Sequence, residues 1–252
     1  MKLSANLGFL WRELPLPEAI RAAKRAGFDA VECHFPFDVP TDEARAALDE
    51  TGLPMLGLNT RPGEDGEFGL AALPDREADA RAAIEQALDY AKATGCRAVH
   101  VMAGKPDDSA RADAAFRANL SHACELAGNT TILIEPINTR DVPGYHLATI
   151  EQAAEIVSAL GYPNLKIMAD CYHLQIMGGD LLRRIEKHLP MIGHVQIAAV
   201  PSRGRPDEGE LNYPWIAAAL RDMGYEGYFG AEYRPDGPTE DSLGWMGMLQ
   251  SR

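Results

Sequence analysis

Between Gly27 and Gly224 the chain repeats one phrase: an alanine-rich stretch with apolar residues at helical spacing, a glycine, then four to eight β-type residues. It reads Ala-Gly27-Phe-Asp-Ala-Val-Glu, Thr-Gly52-Leu-Pro-Met-Leu-Gly-Leu, Thr-Gly95-Cys-Arg-Ala-Val-His-Val, Leu-Gly161-Tyr-Pro-Asn-Leu-Lys-Ile-Met and Met-Gly224-Tyr-Glu-Gly-Tyr-Phe-Gly. Glycine just past a helix accepts the left-handed conformation that ends it, so each phrase predicts helix, cap, strand. The stretch 74–94 carries the helical period most openly, with Ala80, Ala83, Ile84, Ala87, Leu88 and Ala91 on one face. Strands are predicted near 2–7, 28–33, 53–59, 97–103, 131–136, 165–170, 192–198 and 227–233, with helices between them and a last one from about 239. Alternating strands and helices pair in parallel. Eight of each, mostly apolar on both strand faces, predict an α/β protein: a (β/α)8 TIM barrel in a single domain over 1–252.

Four of these apolar runs end on a polar residue: Thr-Ile-Leu-Ile-Glu135, Leu-Lys-Ile-Met-Ala-Asp170, Ile-Gly-His-Val-Gln196 and Tyr-Phe-Gly-Ala-Glu232. Their separations of 35, 26 and 36 positions are each about one β/α unit. In a barrel, all four side chains then meet at the carboxyl-terminal mouth, where barrel enzymes carry their chemistry. The long turn-rich segments 60–73, 137–148 and 199–211 follow strand ends and are expected to overhang that mouth.

A carboxylate inside an apolar strand is costly to bury alone, so each requires a cation, a hydrogen-bond donor or a raised pKa. For one residue a structural ion pair would suffice. Three carboxylates and one amide at matching strand ends suit a hard divalent cation, Mg²⁺ or Mn²⁺, held by Glu135, Asp170, Gln196 and Glu232. His173, three residues past Asp170, and His194, of the same parity as Gln196, are candidate partners that orient a ligand or substrate, with a satisfied core histidine as the competing reading of His194. His34 and His100 are given no functional role.

Charge and cysteine use narrow the function further. The net charge of −13 argues against nucleic acid and anionic membranes, leaving a small-molecule oxo-acid or sugar as the expected partner. No G-x-G-x-x-G follows the first strand and no P-loop is present, which removes most support for a nucleotide-dependent reaction. The four cysteines form no C-x-x-C pair and are read as buried free thiols. Met1 to Trp11 is too short for a signal peptide and no run approaches membrane-spanning length, so a cytoplasmic location is expected. Apolar residues such as Trp11, read as exposed, could mark an interface in a homo-oligomer, or equally a lid or pocket wall.

Taken together, Ile-Glu135-Pro-Ile-Asn-Thr-Arg-Asp-Val-Pro-Gly-Tyr, Ala-Asp170-Cys-Tyr-His, His-Val-Gln196-Ile-Ala, Gly209-Glu-Leu-Asn-Tyr-Pro-Trp and Ala-Glu232-Tyr-Arg-Pro resemble the hydroxypyruvate isomerase family, one of the xylose-isomerase-like barrels. The resemblance runs from Asn6-Leu-Gly to Gly244-Trp. It implies a divalent metal on Glu135, Asp170, Gln196 and Glu232, an acid–base pair in Glu135 and Glu232, and His173 and Arg203 facing the substrate. The implied reaction interconverts hydroxypyruvate and tartronate semialdehyde through a cis-enediolate, with Arg203 and Lys105 as candidate clamps on the substrate carboxylate. The competing reading of Lys105 is a solvated loop cation. The chain departs from the family in carrying Arg203-Gly204-Arg205-Pro206 where relatives have Arg-His-Glu-Pro, and in a shortened third loop, Asn59 to Phe68. Rival readings are a 2-oxo-tetronate isomerase, a ketose 3-epimerase, a keto-sugar dehydratase, a zinc-dependent nuclease and a non-catalytic ligand-binding barrel.

Overall fold

A computed structural model describes residues 1–250. In chain order the elements are β1 (Leu3–Asn6), α1 (Leu16–Arg25), β2 (Ala30–Glu32), α2 (Thr41–Thr51), β3 (Leu58–Asn59), α3 (Glu77–Thr94), β4 (Ala98–His100), α4 (Ser109–Leu126) and β5 (Thr131–Ile134). Then come α5 (Ile150–Leu160), β6 (Leu165–Asp170), α6 (Cys171–Gly178), α7 (Leu181–His188), β7 (Ile192–Ile197), α8 (Tyr213–Asp222), β8 (Phe229–Ala231) and α9 (Met246–Gln250). All strand pairings are parallel, in the order β2-β1-β8-β7-β6-β5-β4-β3, so the expected barrel is present.

The ring closes between β2 and β3 through an isolated bridge, Val31 to Met55, and backbone bonds from Val31 N–H to Pro54 O, Leu56 N–H to Val31 O and Asn59 N–H to His34 O. The predicted strand 53–59 is thus reduced to Leu58–Asn59. Pro54 has no N–H to give to a ladder and Gly57 weakens strand structure, which accounts for the irregular seam. Gly52, Gly95 and Gly161 end α2, α3 and α5 in the left-handed conformation, as the repeated phrase predicts. The predicted terminal helix begins instead as a 3₁₀ segment, Thr239–Trp245, before α9.

The main apolar core lies between strands and helices, while Ala98, Leu133 and Met168 form a separate small cluster. The strands are less uniformly apolar than expected: Ser4, Asn6, Glu32, His100, His194 and Gln196 are all buried. Burial is tolerated where these groups pair, as Glu32 does with Ser4, His194 and Gln196. Trp11 is a correction. It is buried rather than exposed, its backbone N–H donating to Thr239 Oγ1 at 2.8 Å and its indole N–H to Glu240 Oε1 at 2.6 Å. It fastens the first loop to the C-terminal segment. All four cysteines are buried and free, and no helix among the described residues is long and apolar enough to cross a membrane.

Candidate active site

Strand register brings the four strand-end residues together. Asp170 pairs with Gln196 across β6 and β7, Gln196 pairs with Gly230 across β7 and β8, and Glu135 and Glu232 lie one residue past β5 and β8. All four are buried at the mouth. Asp170 also caps α6: its Oδ1 accepts the Tyr172 N–H at 2.8 Å, leaving Oδ2 for the site.

Arg203 reaches these carboxylates from the loop after β7, where its backbone takes a left-handed φ of 56°. A non-glycine residue there carries strain of order 1 kcal/mol, and the turn is held by Arg203 N–H to Ala199 O and Arg234 N–H to Arg203 O. The guanidinium stacks between Phe9 (4.8 Å) and Tyr172 (5.1 Å), with Nη2 3.0 Å from Glu232 Oε2 and 3.4 Å from Asp170 Oδ2. Glu232 Oε1 accepts from Asn6 Nδ2 at 3.2 Å and pairs with His34 Nε2 at 3.1 Å. Glu135 lies 3.6 Å from His173 Nε2 and 3.7 Å from His100 Nδ1.

These contacts push the carboxyl groups apart in acidity. Burial, aided by the charges of Glu232 and Asp170, raises Glu135 well above the usual carboxylate range. Burial likewise raises Asp170 to about 7, against the pull of Arg203. Burial acts on Glu232 in the same direction, yet the Arg203 charge and the His34 hydrogen bond outweigh it and hold that carboxyl at about 2. His100 and His173 are driven down to about 3, chiefly by burial, so their close approaches to Glu135 are contacts of neutral rings rather than ion pairs.

The donor set fits a hard divalent cation. The ligand-capable atoms of Glu135, Asp170 and His173 lie within 4.8 Å of one another. Gln196 gives its amide N–H to Glu32 Oε2 at 3.1 Å, which leaves Gln196 Oε1 buried without a partner, and Glu135 Oε1 is likewise unpartnered. Orphaned buried acceptors beside carboxylates are what a cation would satisfy. Arg203 draws on the same Asp170 and Glu232 oxygens.

A cavity of about 580 Å³ opens above these groups, lined by Glu135, His173, Arg203 and Glu232 below and by Phe9, Phe35 and Phe68 toward the rim. Lys105 is not among its lining residues; its ammonium stands 5.1 Å from the Phe68 ring centre. The cations on the wall besides Arg203 are Arg12 and Arg234, which sequence reading missed. His34 and His100, given no role above, also line it. Each had a signal: His34 keeps the parity of Glu32, and His100 ends β4 as Asp170 ends β6. His194 is the satisfied core histidine, 2.9 Å from Glu32 Oε2.

Gly230 lies where this buried cluster has no room for a side chain. A Cβ there would collide with Glu32 Oε1 and come within 2.8 Å of His194 Nε2. Gly230→Ala should lower stability by about 1–3 kcal/mol, read as a lower urea midpoint at unchanged slope. An unchanged midpoint would show that the cluster yields freely.

Known proteins resemble the chain over nearly its whole length. Residues 20–248 match the family model described as xylose isomerase-like TIM barrel. The chain is 44% identical to a 2-oxo-tetronate isomerase of Cupriavidus necator, over 97% of both chains, and 36% identical to a hydroxypyruvate isomerase of Escherichia coli, over 98% of both. A crystal structure from Brucella melitensis described as an AP endonuclease, family 2, superposes with a TM-score of 0.94 at 40% identity, covering 97% of each chain. Barrel, strand-end carboxylates and full-length relatives agree: the chain belongs to the xylose isomerase-like TIM barrel family.

Proposed function

We propose that the protein is a metal-dependent isomerase that interconverts hydroxypyruvate and tartronate semialdehyde through a cis-enediolate. The observation that carries this reading is the pair of buried glutamates just past β5 and β8, beneath a cavity with an arginine beside them; in the metal-free protein one is held ionised and the other favours its proton. Groups pushed apart in this way are matched to acid and base roles. The relatives named as isomerases of oxo-acids support the same class.

In this reading Glu232 takes a proton from the hydroxymethyl carbon C3 of hydroxypyruvate, C2 and C3 become the enediolate, and Glu135 delivers a proton to C2. The hydroxyl proton passes from O3 to O2, so the carbonyl moves one carbon and no atom is lost. Arg203 turns toward the substrate carboxylate, for which a planar guanidinium is suited. Phe9 and Tyr172 keep it oriented from both faces. Glu135, Asp170, Gln196 and Glu232 would hold Mg²⁺ or Mn²⁺, which when bound supplies Lewis-acid stabilisation of negative charge on the two substrate oxygens. The four buried thiols suit a reducing compartment such as the cytoplasm.

A second reading, a 2-oxo-tetronate isomerase, is favoured by the 44% identical relative and by a cavity of about 580 Å³, roomy for a three-carbon acid. The chemistry is identical and only the chain beyond C3 differs. A nuclease would need basic tracks for phosphates, which a chain of net charge −13 does not favour. Steady-state assays with hydroxypyruvate, 2-oxo-tetronate and neutral ketoses separate these possibilities. The oxo-acids should exceed the ketoses by at least about 100-fold in kcat/KM. Turnover of ketoses with none of either acid would end the oxo-acid reading.

Metal binding should depend on pH with a definite sign. Asp170 and Glu135 must both be ionised to ligate, and burial raises both carboxyls, Asp170 to about 7, so protons compete with the metal as the pH falls. Calorimetric affinity for Mn²⁺ should therefore fall from pH 7 toward 5, by up to about tenfold per pH unit for each proton displaced. A flat profile between 5 and 7 would contradict the assignment of Asp170 as a ligand.

A further inference from the structure

His173 presents a choice that the donor atoms alone leave open, because its Nε2 lies 3.5 Å from Asp170 Oδ2 and 3.6 Å from Glu135 Oε1, within reach of the same cation. Its other nitrogen decides the matter. Nδ1 faces two donors, the Asn138 backbone N–H at 3.2 Å and the Asn138 side chain at 2.6 Å. The Asn138 amide is itself fixed: its Oδ1 accepts the Asp141 backbone N–H at 2.8 Å, so Nδ2 is the atom toward His173, and Nδ2 also donates to Asp141 Oδ2 at 3.1 Å. Asp141 is held in turn by the Tyr172 hydroxyl at 2.6 Å. An Nδ1 that accepts from N–H donors bears no proton, so a neutral ring carries its proton on Nε2.

We infer that Asn138 is a positioning residue that locks His173 as an Nε2–H donor aimed between Glu135 and Asp170, so that His173 gives a hydrogen bond to a substrate oxygen and does not ligate the metal. The donor role rests on the isomerase reading above, whereas the tautomer and the exclusion from the metal do not. A protonated Nε2 has no lone pair for a cation. The ring is buried to 2% exposure in a cage of Asn138, Tyr172, Glu135 and Asp170, so it has little freedom to turn over. The metal therefore draws only on oxygen, although a histidine stands beside it.

Three measurements test this. Long-range ¹H–¹⁵N correlation spectra of metal-free protein labelled in histidine, with His173 assigned through His173→Gln, should show the Nε2–H tautomer; an Nδ1–H tautomer or an imidazolium overturns the inference. Pulsed EPR of the Mn²⁺-loaded protein should show no directly coordinated ¹⁴N; a nitrogen coupling that disappears in His173→Gln overturns it. Asn138→Asp replaces the donor by an acceptor and should switch the tautomer, with kcat reduced about 10–100-fold and KM little changed. Asn138→Ala, which keeps the backbone N–H, should retain the tautomer and lose less activity. A switched tautomer with full kcat would overturn the donor role. If neither the wild type nor any variant turns over an oxo-acid, the isomerase reading fails, while the spectra still decide the tautomer and the ligand set.

Discussion

Glu135→Gln and Glu232→Gln should each lower kcat by at least about 10³-fold while the barrel stays folded, because each removes a proton-transfer group and a charged candidate ligand at one stroke. The two variants should differ in stability. Glu135 is buried with its carboxyl raised by burial and by neighbouring negative charge, so the uncharged isostere relieves a cost, and the metal-free Glu135→Gln protein should be at least as stable as the parent. Glu232 holds Arg203, His34 and Asn6, and Glu232→Gln leaves Arg203 less compensated and should unfold at lower denaturant. Circular dichroism with urea titration reads the fold, and product formation from hydroxypyruvate reads the chemistry. Ordinary turnover in either variant would remove that glutamate from the mechanism.

Arg203→Leu is expected to have the second largest effect, through two separable routes. The guanidinium neutralises Asp170 and Glu232 and stacks between Phe9 and Tyr172, so its removal leaves buried negative charge uncompensated and should cost about 3–5 kcal/mol in the metal-free protein. It also removes the proposed partner of the substrate carboxylate, so kcat/KM should fall by roughly 10²–10³-fold, about 2.7–4 kcal/mol, with a large share in KM. Arg203→Lys should restore little activity, because an ammonium neither stacks as a plane between two rings nor grips a carboxylate with two parallel bonds. Recovery of most activity by lysine would show that only a point charge is needed there.

The strand-end residues were legible because a carboxylate at the end of an apolar run is chemically expensive, and that signal is local. Helix ends were legible for the same reason: a glycine marks the cap whatever the helix packs against. Partners contributed from across the barrel were not. Glu32 meets His194 over 162 positions and His34 meets Glu232 over 198, and no spacing rule connects residues so far apart. Glu32 and Asn6 carry no sequence mark of their partners, and His34 and His100 are marked only by strand parity and strand-end position, although all four support or border the strand-end residues. The third strand is shorter than its run suggests because Pro54 and Gly57 sit within otherwise strand-like residues, and the barrel closes there through loop-like backbone. Burial of Trp11 depends on an equally distant partner: its indole N–H needs only one acceptor, and Glu240 supplies it from the far end of the chain. Which cations face the cavity was a property of loop conformation. Arg203 enters through a left-handed turn and Arg12 and Arg234 line the wall, whereas Lys105 packs on Phe68.

The central claim is that this site moves a proton between adjacent carbons of an oxo-acid. NMR of hydroxypyruvate in D₂O, with the protein and Mg²⁺ or Mn²⁺, observes that step directly. The account predicts resonances of tartronate semialdehyde carrying deuterium at C2, the carbon that Glu135 protonates, with this labelled product lost in both Glu135→Gln and Glu232→Gln. Tight metal binding with no deuterium in hydroxypyruvate, 2-oxo-tetronate or any ketose would contradict it and leave a barrel that binds a ligand without turning it over.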